Sequence, residues 1–477
     1  MEKFKPVIWG VLIAALLLAS CAPGGTPVPG TPASATPGPP YPSEGNATPP
    51  VEGAYPFPSP SPSPSPLPTG AVSGVNGKQP YIPDPAVSAA DLDQITRSAN
   101  SLAVALYQQL VQEGSDNAIF SPYSIYQALL MTYAGASGTT ATEMAAVLGL
   151  PANDPAVHAW MNGLNVRLAQ SSQGCDGATC SPDAQPLTFT VANALWGQQD
   201  FTFSQPFLDT LSANYNAGLE LVDFSDPEQA RTLINAWVAA QTNDKIKDLI
   251  APGVLDEMTR LVLTNAVYFK GAWQNQFEPK QTVTEAFTLE DGSSSNVPMM
   301  KYDGLSVSAL QTDAYQAVSL PYEGGGYAML ALMPRSEPLS TYEDALTPDI
   351  LNGITAELED RDSALVNLSL PRFKFESSFD LSAALNQLGM LSAFDPNMAD
   401  FSAMDGAKDL YISALLHKAT VDVNEQGTEA SASTAVTVGT TAMHLEGLDL
   451  RFDHPFLFAI YERSTRTIVF LGRVTNP

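Results

Sequence analysis

The sequence predicts an α+β domain of about 390 residues, preceded by an export signal and a proline-rich tether. Three observations predict this organisation. The first half of the globular part carries apolar residues at helical spacing, and the second half carries the alternating runs that are typical of strands. Apolar residues make up 44% of the 477 residues, which is enough to fill a large core.

The charge of the chain excludes several classes of partner. Fifty acidic residues against 22 Lys and Arg give a formal net charge of −28. This charge disfavours nucleic acid, heparin-like polyanions and anionic lipid headgroups as partners. We also expect a monomer, with no cofactor and no metal site.

Residues 1–20 have the pattern of a signal peptide. Lys3 and Lys5 precede an apolar run that is too short to span a bilayer. The following LASC resembles a bacterial lipobox, so Cys21 is expected to carry lipid. The domain would then be extracytoplasmic and anchored to the bacterial cell envelope. An ordinary cleaved signal followed by an incidental cysteine is the alternative.

Residues 21–88 are predicted to form a disordered tether. They are rich in Pro, Ser, Gly and Thr, as in FPSPSPSPSPLPTG, and bury too little apolar surface to fold. A proline-rich ligand for a binding domain is the alternative, but no specific anchor residue supports it. The globular domain is expected over residues 89–477.

Elements of that domain follow from periodicity and capping signals. Helices are predicted over Asp91–Glu113, Ser124–Tyr133, Thr139–Leu148, Ser204–Asn216 and Asp226–Ile250. Strands are predicted over Leu187–Trp196 and Leu261–Lys270, with a C-terminal hairpin that turns at residues 462–466.

Cys175 and Cys180 lie in the glycine-rich sequence GCDGATC. Outside the cell, such a close pair is expected to form a disulfide that closes a short loop. A metal site is disfavoured, because none of the four histidines lies nearby in the sequence.

The stretch EQGTEASASTAV (425–436) is the most informative segment. Read at period two, it places small residues on one face, namely Thr428, Ala430, Ala432 and Thr434. It lacks proline, and Gly427 supplies a pivot directly after the alternating strand HKATVDVNE. Such a segment can lie in solvent or join a sheet, so a fold that kept it outside would be metastable. A flexible Ala/Ser/Thr linker is the alternative.

Four collinear segments resemble the serpin family: NAIFSPYSIYQALLMTYAGASGTTATEM, LVLTNAVYFKGAWQNQF, the hinge EQGTEASA and the C-terminal DHPFLFAIYERSTRTIVFLGRVTNP. The resemblance implies a helix-rich half packed on a large mixed sheet, further sheets, and a reactive-centre loop at about residues 425–450. It also implies an irreversible suicide-substrate inhibitor of serine proteases, which inserts this loop into the sheet after forming an acyl-enzyme.

The resemblance assigns roles to individual residues. The hinge would comprise Glu425, Gly427, Thr428, Glu429, Ala430, Ala432 and Thr434. The region where the sheet opens would comprise Ser121, Ser124, Asn265, His417, Trp273 and Arg372, with Arg372 pairing with Glu425.

The family's spacing puts the scissile bond near Thr441, Ala442, Met443 or His444. No Lys or Arg lies between Lys418 and Arg451, which disfavours trypsin-like targets. Elastase-, chymotrypsin- or subtilisin-like serine proteases are expected, and a cysteine protease is an alternative target.

Two other function classes remain to be weighed. A non-inhibitory serpin, acting as a carrier or chaperone-like protein, would have bulky or charged residues on the inward hinge face, and this hinge has none there. A lipid-anchored hydrolase is disfavoured, because the chain lacks a G-x-S-x-G elbow and His417 lies within an alternating strand. We therefore expect no enzyme activity.

Overall fold

The computed structural model describes residues 73–111, 116–151, 154–173, 187–429 and 447–477. Cys21, Cys175 and Cys180, the hinge residues Ala430, Ala432 and Thr434, and the bond region 441–444 lie outside the described residues. Elements are numbered below in chain order.

The described residues contain ten α-helices, of which the first six lie in the first half. They are α1 (Ala89–Val111), α2 (Pro122–Tyr133), α3 (Gly138–Val147), α4 (Ala156–Ser172), α5 (Gln205–Tyr215), α6 (Pro227–Gln241), α7 (Leu339–Ala345), α8 (Pro348–Asp360), α9 (Ser382–Gln387) and α10 (Ser402–Asp405).

Seven strands form the central sheet, in the order β1 (Ser73–Val75), β4 (Leu219–Val222), β3 (Thr188–Gln198), β5 (Leu261–Ala272), β14 (Gly427–Thr428), β13 (Ile412–Asn424) and β12 (Phe373–Asp380). Parallel and antiparallel pairs both occur, so the sheet is mixed.

Two smaller sheets complete the described fold. The second contains β2 (Ala118–Phe120), β17 (Thr467–Val474), β16 (Phe456–Glu462), β10 (Tyr327–Pro334), β9 (Tyr315–Pro321) and β8 (Ala309–Gln311). The third contains β15 (Leu448–Arg451), β11 (Ala364–Pro371), β7 (Ser294–Val307) and β6 (Val283–Thr288).

Both faces of the central sheet are covered. The larger core lies between one face, α1, α2 and the second sheet. A smaller core lies on the opposite face, where α6 and the loop after it bury Trp196 of β3 and Ile234 of α6. Every second residue of β5 therefore points to each core, which is the pattern of a strand covered on both sides.

Most predicted elements match the observed ones within two residues, but the helix predicted over Asp226–Ile250 is too long. It ends at Gln241, after which Asn243 and Asp244 adopt positive φ values of 51° and 60°. The Thr242 hydroxyl then accepts the N–H of Ile246 at 3.1 Å. The left-handed residues turn the chain so that Ile246 and Ile250 cover the sheet instead of continuing a helix.

The predicted tether also extends too far. β1 pairs antiparallel with β4, and the N–H of Gly77 donates to Ser212 Oγ at 2.8 Å. Ile82 and Ala213 are joined by a backbone hydrogen bond, and the Tyr81 hydroxyl reaches Asn162 Oδ1 at 2.9 Å. The placement of residues 73–88 in the tether is therefore wrong, because long-range pairing orders a segment whose composition suggests disorder.

Sequence reasoning assigned no helix to α4, α7 or α8, although α8 shows a capping signal. The Thr347 side chain accepts the N–H of Ile350, and Pro348 occupies the first turn. The predicted C-terminal hairpin is present as β16 and β17. Across the described ranges, no helix combines the length and apolarity that a bilayer crossing needs.

Candidate functional site

The two central strands β5 and β13 pair for only part of their length. Their parallel ladder runs from Leu261 and Ile412 to Val267 and Ala419, and beyond this pair the strands separate. We call the point of separation the fork. The gap above it is occupied by β14, whose two residues pair with both strands: Thr428 lies opposite Val423 of β13 and Gly271 of β5. The chain thus enters the sheet for two residues.

Gly427 is required at the start of β14. A Cβ at this position would lie 2.0 Å from the carbonyl oxygen of Gly271, and the φ angle is 153°. No side chain fits such a close approach of two backbones. The pivot inferred from the sequence is therefore also a point of tight strand contact.

Thr428 is buried in the gap. It is 2% exposed, and its hydroxyl lies 2.7 Å from the hydroxyl of Tyr322. Tyr322 in turn stacks on Trp273, with ring centroids 4.6 Å apart. The inward face predicted for Thr428 is the face that the structure shows.

Trp273 stands beside the entry to the gap. Its indole N–H donates to the carbonyl of Asn424 at 2.9 Å, and its backbone N–H donates to the carbonyl of Gln426 at the same distance. The ring is 2% exposed. Trp273 therefore fixes the backbone on which the hinge turns.

Glu425 is a buried carboxylate at the top of the sheet. Its side chain is 2% exposed, Arg372 Nε donates to its Oε1 at 2.7 Å, and Thr282 donates to the same oxygen. Burial alone would raise the pKa of Glu425, but the bonds from Arg372 and Thr282 outweigh it and keep the pKa below its usual value. Glu425 is therefore a charged group that ties the hinge to Arg372, the residue before β12, and to Thr282.

A buried polar network lies just below the fork. His417 Nε2 accepts the backbone N–H of Ser121 at 3.1 Å, so its Nδ1–H donates to Asn265 Oδ1. The Asn265 amide donates to Ser124 Oγ and to Asn193 Oδ1. The network ties Asn265 and His417, which pair two positions before the end of the β5–β13 ladder, to the start of α2.

The structure adds two details to this network. Ser121 contributes its backbone N–H, while its hydroxyl accepts the N–H of Ser124 as a helix cap. Burial lowers the pKa of His417 to about 3. The imidazole is therefore neutral at ordinary pH, as its acceptor role at Nε2 requires.

Three residues of the site escaped the sequence analysis: Asn193, Thr282 and Tyr322. Asn193 carries a weak signal, since it is an amide inside an apolar strand and such a group needs a partner. Thr282 and Tyr322 give no local signal, because their partners Glu425 and Thr428 are distant in sequence.

The described chain resumes at residue 447 and enters the third sheet. β15 pairs in parallel with β11, from Val366–Leu448 to Ser369–Arg451. Arg451 forms ion pairs with Glu285 at 2.6 Å and with Asp453 at 2.6 Å. Residues 430–446 therefore connect a hinge in one sheet to a strand in another. In the described ranges, no group of three or more His, Cys, Asp and Glu side chains is arranged to hold a metal.

Comparison with known proteins gives one consistent result. The family model described as "Serpin (serine protease inhibitor)" matches residues 97–477. Leukocyte elastase inhibitor A of Rattus norvegicus is 37% identical over 80% of this chain and 99% of its own. Antithrombin-III of Ovis aries is 33% identical over 80% of this chain and 82% of its own.

Solved structures agree with these sequence matches. The thermophilic serpin tengpin in its native state superposes with a TM-score of 0.71 at 25% identity, covering 85% of this chain and 100% of tengpin. Native protease nexin-1 with heparin gives 0.69 at 28% identity, covering 81% and 100%. The predicted fold is therefore confirmed, and the chain belongs to the serpin family.

Proposed function

We propose that this protein is an irreversible inhibitor of serine proteases with elastase-, chymotrypsin- or subtilisin-like specificity. A target serine would attack a carbonyl within residues 441–444, the amine side would leave with a proton, and an ester acyl-enzyme would form. The freed loop would then extend β14 into the fork before water cleaves the ester. The protein would be consumed in the process and would have no turnover.

One observation carries this proposal: β14 already occupies the top of the gap between β5 and β13. Its two residues make ladder contacts with both neighbours, so insertion would extend a strand that has already begun. Each added ladder hydrogen bond contributes roughly 1 kcal/mol, and a strand of some ten residues would gain an amount comparable with the stability of a domain.

The proposed specificity follows from the absence of cations in the segment. Residues 419–450 contain no Lys or Arg, while Thr441, Ala442 and Met443 are small or apolar. An acidic specificity pocket would find no partner there, whereas an apolar pocket would. The relatives from rat and cattle that are named leukocyte elastase inhibitors agree with this choice.

We further propose that the protein is exported and acylated at Cys21, so that the domain acts outside the cytoplasm. The apolar run before LASC supports this assignment. Labelling with a fatty-acid analogue should mark the wild-type chain and not Cys21→Ser. Equal labelling of both proteins would contradict it.

The inhibitor proposal is tested by mixing the full chain with pancreatic elastase and with subtilisin. A complex that survives SDS, together with a large rise in Tm of the cleaved protein, is expected. Clean cleavage without a complex would instead indicate a non-inhibitory carrier. Mass spectrometry of the released peptide identifies the bond, and a cut outside residues 441–444 would overturn the placement.

A further inference from the structure

One ionic contact at the fork has no part in the inhibitor proposal. Glu429, the residue after β14, has a side chain that is only 10% exposed, although it is charged. Its Oε2 lies 3.2 Å from Nζ of Lys245, which belongs to the loop after α6. A nearly buried carboxylate needs such compensation, so the pair is a built feature of the gap.

The backbone leaves the sheet at Glu429. Its N–H still donates to the carbonyl of Asp422 at 2.7 Å, which is the last ladder contact of the described hinge. Its φ angle is 50°, a left-handed conformation that is strained for a residue with a Cβ. The strand therefore stops at a residue whose conformation is incompatible with continuing it.

The carboxylate itself points down toward the fork. Its Oε1 lies 3.4 Å from Thr420 Oγ1. Burial and the adjacent Glu429 carboxylate raise the pKa of Tyr268 to about 12. Tyr268 and Thr420 directly follow the last paired residues of β5 and β13. Glu429 thus contacts β13 at the level where the two strands part.

An incoming strand would have to occupy the gap beside Tyr268 and Thr420. In the register of β14, Thr428 lies opposite Gly271 and Val423. Three further residues in the same register would bring residue 431 level with Tyr268 and Thr420. The Glu429 carboxylate contacts Thr420 at this level, so the side chain and its partner Lys245 have to rearrange before the strand can extend this far.

We propose that Glu429 and Lys245 form a latch that stops loop insertion after Thr428, and that release of this latch sets the rate at which the loop enters the sheet. The latch rests on the proposed inhibitory function for its biological meaning. Both are positioning residues, since neither contacts the scissile bond. Breaking the ion pair should speed insertion, whereas reversing its charges should restore the latch.

The test follows uptake of a synthetic peptide with the sequence of residues 430–441, ASASTAVTVGTT, by the intact chain on native gels. Lys245→Met and Glu429→Gln should each accelerate uptake about tenfold. The double variant Lys245→Glu with Glu429→Lys should return to near the wild-type rate. Lys247→Met is the matched control, because Lys247 lies in the same loop but pairs with exposed Asp244.

Two outcomes would overturn the latch: equal uptake by wild type and both single variants, or a charge-reversed variant as fast as the single ones. Elastase titrations separate this result from the inhibitor proposal. If the wild type forms no SDS-stable complex while uptake still differs among variants, the inhibitor proposal fails and the latch stands. If complexes form and uptake is uniform, only the latch fails.

Discussion

The regions of β5 and β13 below and above the fork differ in the contacts that hold the two strands. Below the fork, seven residue pairs are tied by the buried network of His417, Asn265 and Ser124. Above it, β14 lies between the two strands, and the ion pair of Glu425 with Arg372 holds the hinge to the start of β12. Below the fork the strands are closed by backbone pairing and this buried network, whereas above it the gap is filled only over the two residues of β14. The sheet is therefore prepared to open from one end only.

The largest effect is expected from a variant that blocks the gap between β5 and β13 above the fork. In Thr428→Arg, a cation would replace a side chain that is 2% exposed, so β14 could not remain in the gap. We expect the yield of SDS-stable complex with elastase to fall at least tenfold, with cleavage taking its place. Gln426→Arg is the control, since Gln426 is only half-buried and lies outside β14. Equal complex yields for both variants would contradict the insertion mechanism.

The stability of the paired region below the fork should depend on His417. Removing the imidazole leaves the N–H of Ser121 and Oδ1 of Asn265 unsatisfied in the core, so His417→Ala should lower the free energy of unfolding by about 3 kcal/mol. Urea titration measures this loss. His454→Ala, with a side chain that is 54% exposed, should change it by less than about 0.5 kcal/mol. Similar losses for the two variants would show that the network does not hold the strands together.

As the pH falls, the paired region below the fork should lose stability at a higher pH than the region above the fork. The pKa of His417 is about 3 and that of His158 about 4, both lowered by burial from 6.5. As pH falls below 6.5 the unfolded chain binds these protons and the folded chain does not, so stability is lost. The expected slope is about 1.4 kcal/mol per pH unit for each histidine. Urea titrations between pH 6.5 and 5 should give a shallower slope for His417→Gln than for wild type, and equal slopes would contradict the assignment.

A smaller effect is expected in the region above the fork. Arg372→Ala removes the main partner of buried Glu425 and should cost about 1–2 kcal/mol, while Arg372→Lys should recover part of it. The pKa of Glu425 is held low in the folded state, so this contribution is present above pH 4.5 and is lost as pH falls. Lys374→Met, which breaks a pair whose lysine is 77% exposed, should cost less than about 0.5 kcal/mol. A larger loss from Lys374 than from Arg372 would reverse the ranking of the two pairs.

Local sequence patterns predicted helices and strands well where an element buries one apolar face. The alternation in HKATVDVNE predicts one buried face, and its members Ala419, Val421 and Val423 are all at most 1% exposed. The inward position of Thr428 followed from the same alternation. Helix α6 was overextended because Ile246 and Ile250 continue its apolar spacing, although residues with positive φ turn the chain between them and the helix.

Contacts between distant segments were beyond this kind of inference. Tyr322 meets Thr428 across 106 positions, and β1 meets β4 although its sequence resembles the tether. The family resemblance named Arg372 and Glu425 as partners, but composition and spacing could not. The early entry of β14 into the sheet was also missed, because a segment of small residues is equally suited to solvent and to a strand.

The edge strand β1 has a mechanical consequence. A pull on the chain upstream of Ser73 would act on three residue pairs that can open one at a time, since the strand lies antiparallel to β4 at the border of the sheet. Behind them, Tyr81 and Ile82 are fastened to α4 and α5. Three strand spacings, roughly 14 Å, separate β1 from β5. A load from the N-terminal side would therefore reach the edge strand and its neighbours α4 and α5 before it reached β5.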